Sequence, residues 1–300
     1  MNLRSVDLNL LVIFDSLMTE RHVTRAANRV GMSQSAMSNA LARLRHVFED
    51  ELFIRAAGGM EPTPRALELG EPISRILRQA QRLMSSDVGF DPRQTRRQFT
   101  VRMSDLIGYL ALPRLSAHLA SVAPNVSLNI VHLSPDATLR ALDSDELDFA
   151  LSMALGEPTG IESEPLFDDR MCCLMRSGHP LSRRPLTLDA FLGARHLKVS
   201  MSATDSRFVD DVLTKQGLRR TIALNVPHWL LVPPVLAQTD LLAVVSGKLA
   251  EAISGRQLLI RPLPFESERF AWRIYWHRRY TQSAAHKWIR QAVTKACATL

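Results

Sequence analysis

The chain has 300 residues, 46% hydrophobic and 22% charged, which suits two or three folded domains and excludes a disordered or fibrous protein. Its 37 Lys and Arg outnumber 30 Asp and Glu, and the net charge of +7 favours a polyanionic partner without proving one. The three cysteines, Cys172, Cys173 and Cys297, offer neither a disulfide framework nor metal-ligand spacing and fit a reduced, cytoplasmic setting.

A first helix is predicted from about Asp7 to Glu20, with Asp7 as N-cap and Leu10, Leu11, Phe14 and Leu17 turned inward. Leu8 to Met18 does not pass for a signal peptide, because Asp7 precedes it, Asp15 breaks it and no small-residue cleavage site follows. No run reaches the roughly 20 apolar residues of a membrane span.

Val23, Ala26, Ala27 and Val30 keep helical spacing, and Gly31 stands where a left-handed residue would end that helix. Ser33 caps the next helix, whose inward positions are Ala36, Met37, Ala40, Leu41, Leu44 and Val47. Its outward positions are Ser35, Ser38, Asn39, Ala42 and Arg43, with Gln34 and Arg45 beside them, and no acid occurs from Ser33 to Phe48. A helix serving stability alone would carry Glu and Lys pairs there. Small residues instead let a helix approach base edges, Gln and Asn can pair with adenine, and Arg with guanine.

Glu51 to Arg55 reads as a strand, Ala56 to Gly59 as a turn, and Met60-Glu61-Pro62 as a returning strand. The helix pair alone would also suit a helical hairpin with an ordinary polar face. The added wing, ending in Arg55, decides for a DNA reader whose candidate contacts are Thr24, Arg25, Ser33, Gln34, Ser35, Ser38, Asn39, Arg43 and Arg55.

Thr63 caps a further helix with Pro64 at its first position. Ala66, Leu69, Ile73, Ile76, Ala80 and Leu83 follow at heptad spacing. They form either a dimerising coiled-coil seam or the inner face of one helix resting on its own domain. A polar stretch with Gly89 and Pro92 reads as a hinge.

From about Arg97 strands and helices alternate, the pattern of an α/β layer with parallel pairing. Strands are predicted at Phe99–Met103, Val126–Leu133 and Asp148–Met153, with helices from Ser104 to Ala120 and over 136–147. The chain then crosses, over Pro165 to Arg176, into a second α/β unit. That unit has strands at His196–Met201, Thr221–Val226 and Leu241–Ser246 and a helix at Ser206–Gln216. Leu258–Pro262 and Phe270–His277 are expected to return to the first unit, and a helix from Ala284 to Thr299 closes it.

The expected domains are 1–62 for the winged helix-turn-helix, 63–86 for the linker helix, 87–97 for the hinge and 98–300 for a regulatory domain. Lobe I of that domain comprises 98–164 and 266–300, and lobe II comprises 165–265. The fold class is an N-terminal all-α winged helix-turn-helix with a linker helix, followed by a two-lobed α/β domain.

Ligands in such sheets sit beyond the carboxyl ends of strands and between lobes. The candidates are Ser104, Ser134, Ser202, Thr204 and His228, with Phe208 and Trp229 to wall an aromatic ring. The serines and Thr204 serve equally as N-caps, His228 as a structural histidine and Trp229 as core. Asp105 and Asp169 nearby would repel an acid unless paired. No catalytic signature appears among G-x-S-x-G, H-E-x-x-H and Walker patterns, and the nine His residues are scattered. This argues against an enzyme, a metal site or a cofactor. A solute-binding protein would have no use for the helix-turn-helix.

The sequence is similar to the LysR-type transcriptional regulators along its whole length. The residues that carry this are Ala26-Ala27, Ser33 to Ser38, Leu41, Arg43, Leu44, Leu52 to Arg55 and Thr63-Pro64. Met103-Ser104-Asp105, Pro227-His228-Trp229, Thr239-Asp240-Leu241 and Tyr275-Trp276-His277 resemble the subgroup of nodulation and aromatic-degradation regulators. The resemblance implies promoter DNA, RNA polymerase and a small-molecule effector as partners, a periplasmic-binding-protein-like regulatory domain, and a dimer or dimer of dimers. It leaves activation or repression open, and an effector-independent repressor is the alternative.

Overall fold

A computed structural model describes residues 7–300 apart from 57, 85–89, 154, 201–208 and 299, and for 81–84 the backbone alone. The chain divides into two compact units, Met1–Ser86 and Asp87–Leu300.

The first unit is built from α1 (Asn9–Glu20), α2 (Val23–Arg29), α3 (Gln34–Phe48), the hairpin β1 (Phe53–Ala56) and β2 (Gly59–Pro62), and α4 (Pro64–Met84). The N-cap of α1 is Leu8 rather than the expected Asp7, which instead accepts the Asn9 N–H at 3.0 Å from one residue earlier. Ser33 Oγ accepts the Ala36 N–H at 3.2 Å and Thr63 Oγ1 the Ala66 N–H at 3.2 Å, so both expected caps form. Phe14 lies at the centre of the core, 5.5 Å from Phe53 and 6.3 Å from Phe48 between ring centroids, among buried Leu17, Met37, Leu44 and Leu52.

The way into the wing uses left-handed residues that are not glycine. Glu49 (φ 53°) ends α3, and buried Leu52 (φ 57°) redirects the chain. Asp50 holds this turn by accepting the Leu52 N–H and the Thr63 hydroxyl, both at 2.7 Å. The wing rests on the end of α1, where the Arg21 carbonyl accepts the Met60 N–H at 2.8 Å. Gly59 makes that approach possible: its φ is 144°, and a Cβ would lie 2.4 Å from the Arg21 oxygen. Gly59→Ala is expected to cost about 2 kcal/mol through strain and collision. No Trp lies in this unit, so helical circular dichroism is the readout; an unchanged first transition would show that the wing does not bear on α1.

The heptad seam of α4 is divided. Ala66 and Ile73 are buried in the unit's own core with Leu69 packed against them, and Ser74 donates to Asp15 of α1 at 2.6 Å. Ile76 is 50% exposed, Leu67 56%, and Ala80 is also exposed, while the Leu83 side chain lies outside the described residues. The first half of α4 therefore follows the one-domain alternative, because α1 covers it.

In the second unit come β3 (Gln98–Arg102), α5 (Asp105–Val122), β4 (Ser127–Val131), α6 (Pro135–Asp143), β5 (Phe149–Ser152), β6 (Ile161–Asp169) and β7 (Met171–Arg176). These are followed by α7 (Leu188–Gly193), β8 (Arg195–Val199), α8 (Val209–Lys215), β9 (Thr221–Val226), α9 (Val232–Ala237), β10 (Leu241–Ser246) and α10 (Gly247–Ile253). The last elements are β11 (Leu258–Arg261), β12 (Phe270–His277) and α11 (Ala284–Cys297).

One sheet has the order β4-β3-β5-β12-β6 and the other β11-β7-β10-β8-β9. Pairing is parallel for β3 with β4 and β5 and for β8 with β9 and β10, but β12, β7 and β11 run antiparallel to their neighbours. The expected parallel pairing is present in both sheets, and antiparallel strands join it because strands around the two crossovers enter each sheet from the opposite end.

Two boundaries also move. Pro165 does not begin the crossing. It lies at a bulge of edge strand β6, where a missing N–H is tolerated, and β6 continues to Asp169. The segment Leu258–Arg261 stays in the second sheet on β7, because Leu258 and Ile260 pack with Cys172 and Leu174. The expected hinge is shorter too. Phe90 packs on Trp288 at 5.6 Å, and Asp91 accepts from the Arg93 N–H at 3.0 Å, so 90–97 is part of the second unit.

The first sheet's core joins Phe99, Val101 and Ile274 to α5 and α11 through Leu106, Ile107, Leu115, Ile289 and Val293. The second sheet is covered on one side by Val232, Leu236 and Ala250 and on the other by Phe191, Val209 and Leu213. Burial pushes the Cys172 and Cys173 thiols up to about 12 and Cys297 up to about 11, so all three stay protonated at neutral pH. Among the described residues no helix is long and apolar enough to cross a membrane, and no cluster of three or more His, Cys, Asp or Glu could hold a metal ion.

Candidate functional sites

α3 presents two faces. Met37, Ala40, Leu41 and Leu44 are buried, while Ser33, Gln34, Ser35, Ser38, Asn39, Ala42 and Arg43 are exposed on the other side. Gly31, in the left-handed region at φ 70°, sets the turn between α2 and α3. Ser33 both caps α3 and lies 3.0 Å from the Ser35 hydroxyl. The first-turn N–H groups and the aligned peptide dipoles make this end a natural seat for a phosphate oxygen.

The cations around this face differ in how tightly they are held. Arg43 pairs with Asp7 at 3.0 Å, and Asp7 lies below the usual carboxylate range, first through the Asn9 N–H and then through Arg43. Arg25 donates to the Glu20 carbonyl at 2.7 Å, and Thr24 is half-buried in the first turn of α2 with its N–H on His22 Nδ1 at 3.2 Å. Arg45, beside the face, is committed to the wing root, donating to the Phe53 carbonyl at 2.7 Å and the Glu51 carbonyl at 2.9 Å. Arg55 is exposed on β1 and has no ion-pair partner among the described residues.

The second unit encloses a cleft of about 360 Å³ between its two sheets. Ser104, Ser134 and Trp229 line it. Ser104 stands at the N-cap of α5, yet its hydroxyl makes no capping bond. Ser134 Oγ accepts the Ala137 N–H at a long 3.4 Å. Trp229 packs against the cores of both lobes, so its ring reports on their relation. His228 does not line the cleft; it is exposed on an adjoining groove along α5, with its ring 6.3 Å from His132. Ser202, Thr204 and Phe208 lie outside the described residues.

Of the two acids expected to repel an anionic ligand, Asp169 is fully engaged, while Asp105 keeps its buried Oδ1 without a hydrogen-bond partner among the described residues. Asp105 belongs to the adjoining groove and accepts the Leu230 N–H at 3.0 Å. Asp169 is buried and accepts from the Arg170 N–H at 2.8 Å, the Lys248 N–H at 3.2 Å, Trp272 Nε1 at 3.3 Å and the Ser246 hydroxyl. Sequence reasoning missed Arg102, Lys198, Asp210, Arg220 and Trp272 in the cleft wall. Arg102, Lys198 and Trp272 lie within strands, Asp210 on a short helix and Arg220 just before a strand, so the rule that looks past strand ends could not find them. Arg102 directs its guanidinium to the Leu133 and Leu151 carbonyls at 3.0–3.1 Å.

Two family models cover most of the chain: a bacterial regulatory helix-turn-helix of the lysR family at residues 8–67, and a LysR substrate binding domain at 92–298. The chain is 37% identical over 292 residues to the HTH-type transcriptional activator NahR of Pseudomonas putida, covering 97% of each. It is 32% identical over 297 residues to Nodulation protein D 2 of Sinorhizobium fredii, covering 98% of the chain and 94% of that protein. The crystal structure of a probable transcriptional regulator of Pseudomonas aeruginosa superimposes with a TM-score of 0.80 at 34% identity, covering 97% of each. Full-length CbnR, crystallised with its target DNA, shares the fold at a TM-score of 0.70 and 15% identity, over 97% of this chain and all of that one.

Proposed function

We propose a division of labour for this chain, which belongs to the LysR family of DNA-binding transcriptional regulators. α3 and the wing read a promoter site from a cytoplasmic dimer, and a small aromatic effector in the cleft resets that dimer. The observation that carries the reading is the capped, acid-free face of Gln34, Ser35, Ser38, Asn39 and Arg43, exposed beside Arg55. Such a face has the donors and acceptors to address base edges, with Thr24 and Arg25 on the preceding helix toward the phosphates. Exposed Leu67 and Ile76 on α4 supply apolar surface for a second copy, which would place two readers on a two-fold site.

The effector is bound between the lobes, where Trp229 and Trp272 offer flat apolar walls and Ser104 a hydroxyl. Binding shifts the balance of lobe arrangements and so the spacing of the two readers or their contact with RNA polymerase. Footprinting on the DNA upstream of the protein's own gene and its divergent neighbour tests the reading. Folded protein that protects no sequence at moderate salt would sink it. In the same assay Arg55→Ala is expected to lower the slope of log affinity against log salt by about one phosphate contact. An unchanged slope moves Arg55 off the DNA backbone.

A further inference from the structure

Arg43 is the cation of the exposed face of α3, and its side chain is 58% exposed. In the free protein it is already engaged, because its Nη2 donates to Asp7 Oδ2 at 3.0 Å. The other Asp7 oxygen accepts the Asn9 N–H at 3.0 Å, which fixes the carboxylate at the start of α1. That bond first, and Arg43 second, hold Asp7 below the usual carboxylate range, so the acid is charged at neutral pH.

The neighbouring cations are matched in the same way. Glu20 pairs with Arg25 at 3.6 Å and with Arg29 at 3.3 Å, and Glu51 pairs with Arg45 at 3.1 Å. Acids are absent from α3 itself, yet the segments around it place one against each of these arginines. The reader therefore meets DNA with much of its positive charge already neutralised from within.

Exposed ion pairs are weak and exchange readily. Asp7 meets Arg43 through a single nitrogen, whereas guanine O6 and N7 accept a bidentate pair. One phosphate offers Arg43 about what Asp7 already gives, and a correctly placed guanine offers more. We propose that Asp7 is a specificity-determining residue of the reader, holding Arg43 off the phosphates of non-cognate DNA and releasing it at the cognate site. This rests on α3 being the reading helix and adds an acid outside that helix to its recognition.

The test compares the full chain with Asp7→Asn on the footprinted promoter site and on a scrambled duplex of equal length, over a range of salt. Asparagine keeps an oxygen for the Asn9 N–H while removing the charge, and circular dichroism confirms that the variant is folded. Non-cognate affinity is expected to rise roughly 5- to 10-fold near 0.1 M salt, with its slope against log salt steeper by about one contact. Cognate affinity should rise by no more than about threefold with its slope unchanged, because Arg43 is already on the DNA there, so the ratio between the sites falls. In an Arg43→Gln chain the same Asp7→Asn change should leave non-cognate affinity within about twofold. An equal rise in both backgrounds overturns the proposal, since Asp7 would then act only by its negative charge. A non-cognate affinity and slope that Asp7→Asn does not move overturn it too. So does a cognate loss of more than about 10-fold with non-cognate binding unchanged, which would make Asp7 an orienting partner of Arg43. Ser38→Glu keeps the two claims apart. If that chain still binds the promoter, α3 is not the reader; if it loses the promoter while Asp7→Asn changes nothing, only the role of Asp7 falls.

Discussion

A Ser38→Glu chain is expected to fold and self-associate as the unaltered chain does, yet to lose specific DNA binding by about 100-fold or more. Ser38 lies at the middle of the exposed face of α3, one turn past the cap formed by Ser33. Nothing packs over it, so the longer side chain meets only solvent in the free protein and stability should move by no more than about 0.5 kcal/mol. Against DNA the same carboxylate meets base-edge acceptors and phosphates with no cation to neutralise it. The only cation of the face itself, Arg43, is already paired with Asp7 at 3.0 Å. Gel-shift titration against the footprinted site reads the loss, and sedimentation confirms that assembly is unchanged. Binding that survives within about threefold would mean that another surface reads the DNA.

The parts of this molecule that were legible in the sequence are those written in local pattern. The two-faced α3 follows from spacing, and its cap from Ser33. The alternation of strand and helix beyond residue 97 announced an α/β domain. What was hidden depends on contacts between distant segments. Leu52 gives no sign of its left-handed conformation, because Asp50, Thr63 and the core impose it. The division of the α4 seam could not be read from heptads, since the burial of Ala66 and Ile73 against α1 is a tertiary fact. The short helices α7 and α10 escaped notice because each is seven residues or fewer and is held by one cap, Thr187 or Ser246. In the cleft, the strand-end rule brought Ser104, Ser134 and Trp229 together but passed over Arg220, which stands just before a strand.

Asp169 carries the largest stability prediction. The residue is 6% exposed and closes β6, the last strand before the chain leaves the first sheet. Oδ1 accepts the Arg170 and Lys248 N–H groups, and Oδ2 accepts from Trp272 Nε1 and Ser246 Oγ. Trp272 belongs to β12 of the first sheet, whereas Ser246 ends β10 of the second, so one side chain ties the lobes at their crossover. Asp169→Ala leaves these donors buried without an acceptor and is expected to cost about 3 kcal/mol. For a unit of this size that lowers the melting temperature by roughly 6–12 °C. Asp169→Asn should recover little, because its NH₂ would turn a donor toward donors already in place. All four tryptophans, Trp229, Trp272, Trp276 and Trp288, lie in the second unit, so their fluorescence follows its unfolding apart from the DNA-reading unit. The first unit's helical transition should stay where it is. A Trp-detected midpoint within about one degree of the unaltered chain would show that this carboxylate is not what joins the lobes, and that the crossover backbone, with the Gly247 N–H on the Arg170 carbonyl at 2.8 Å, holds them unaided.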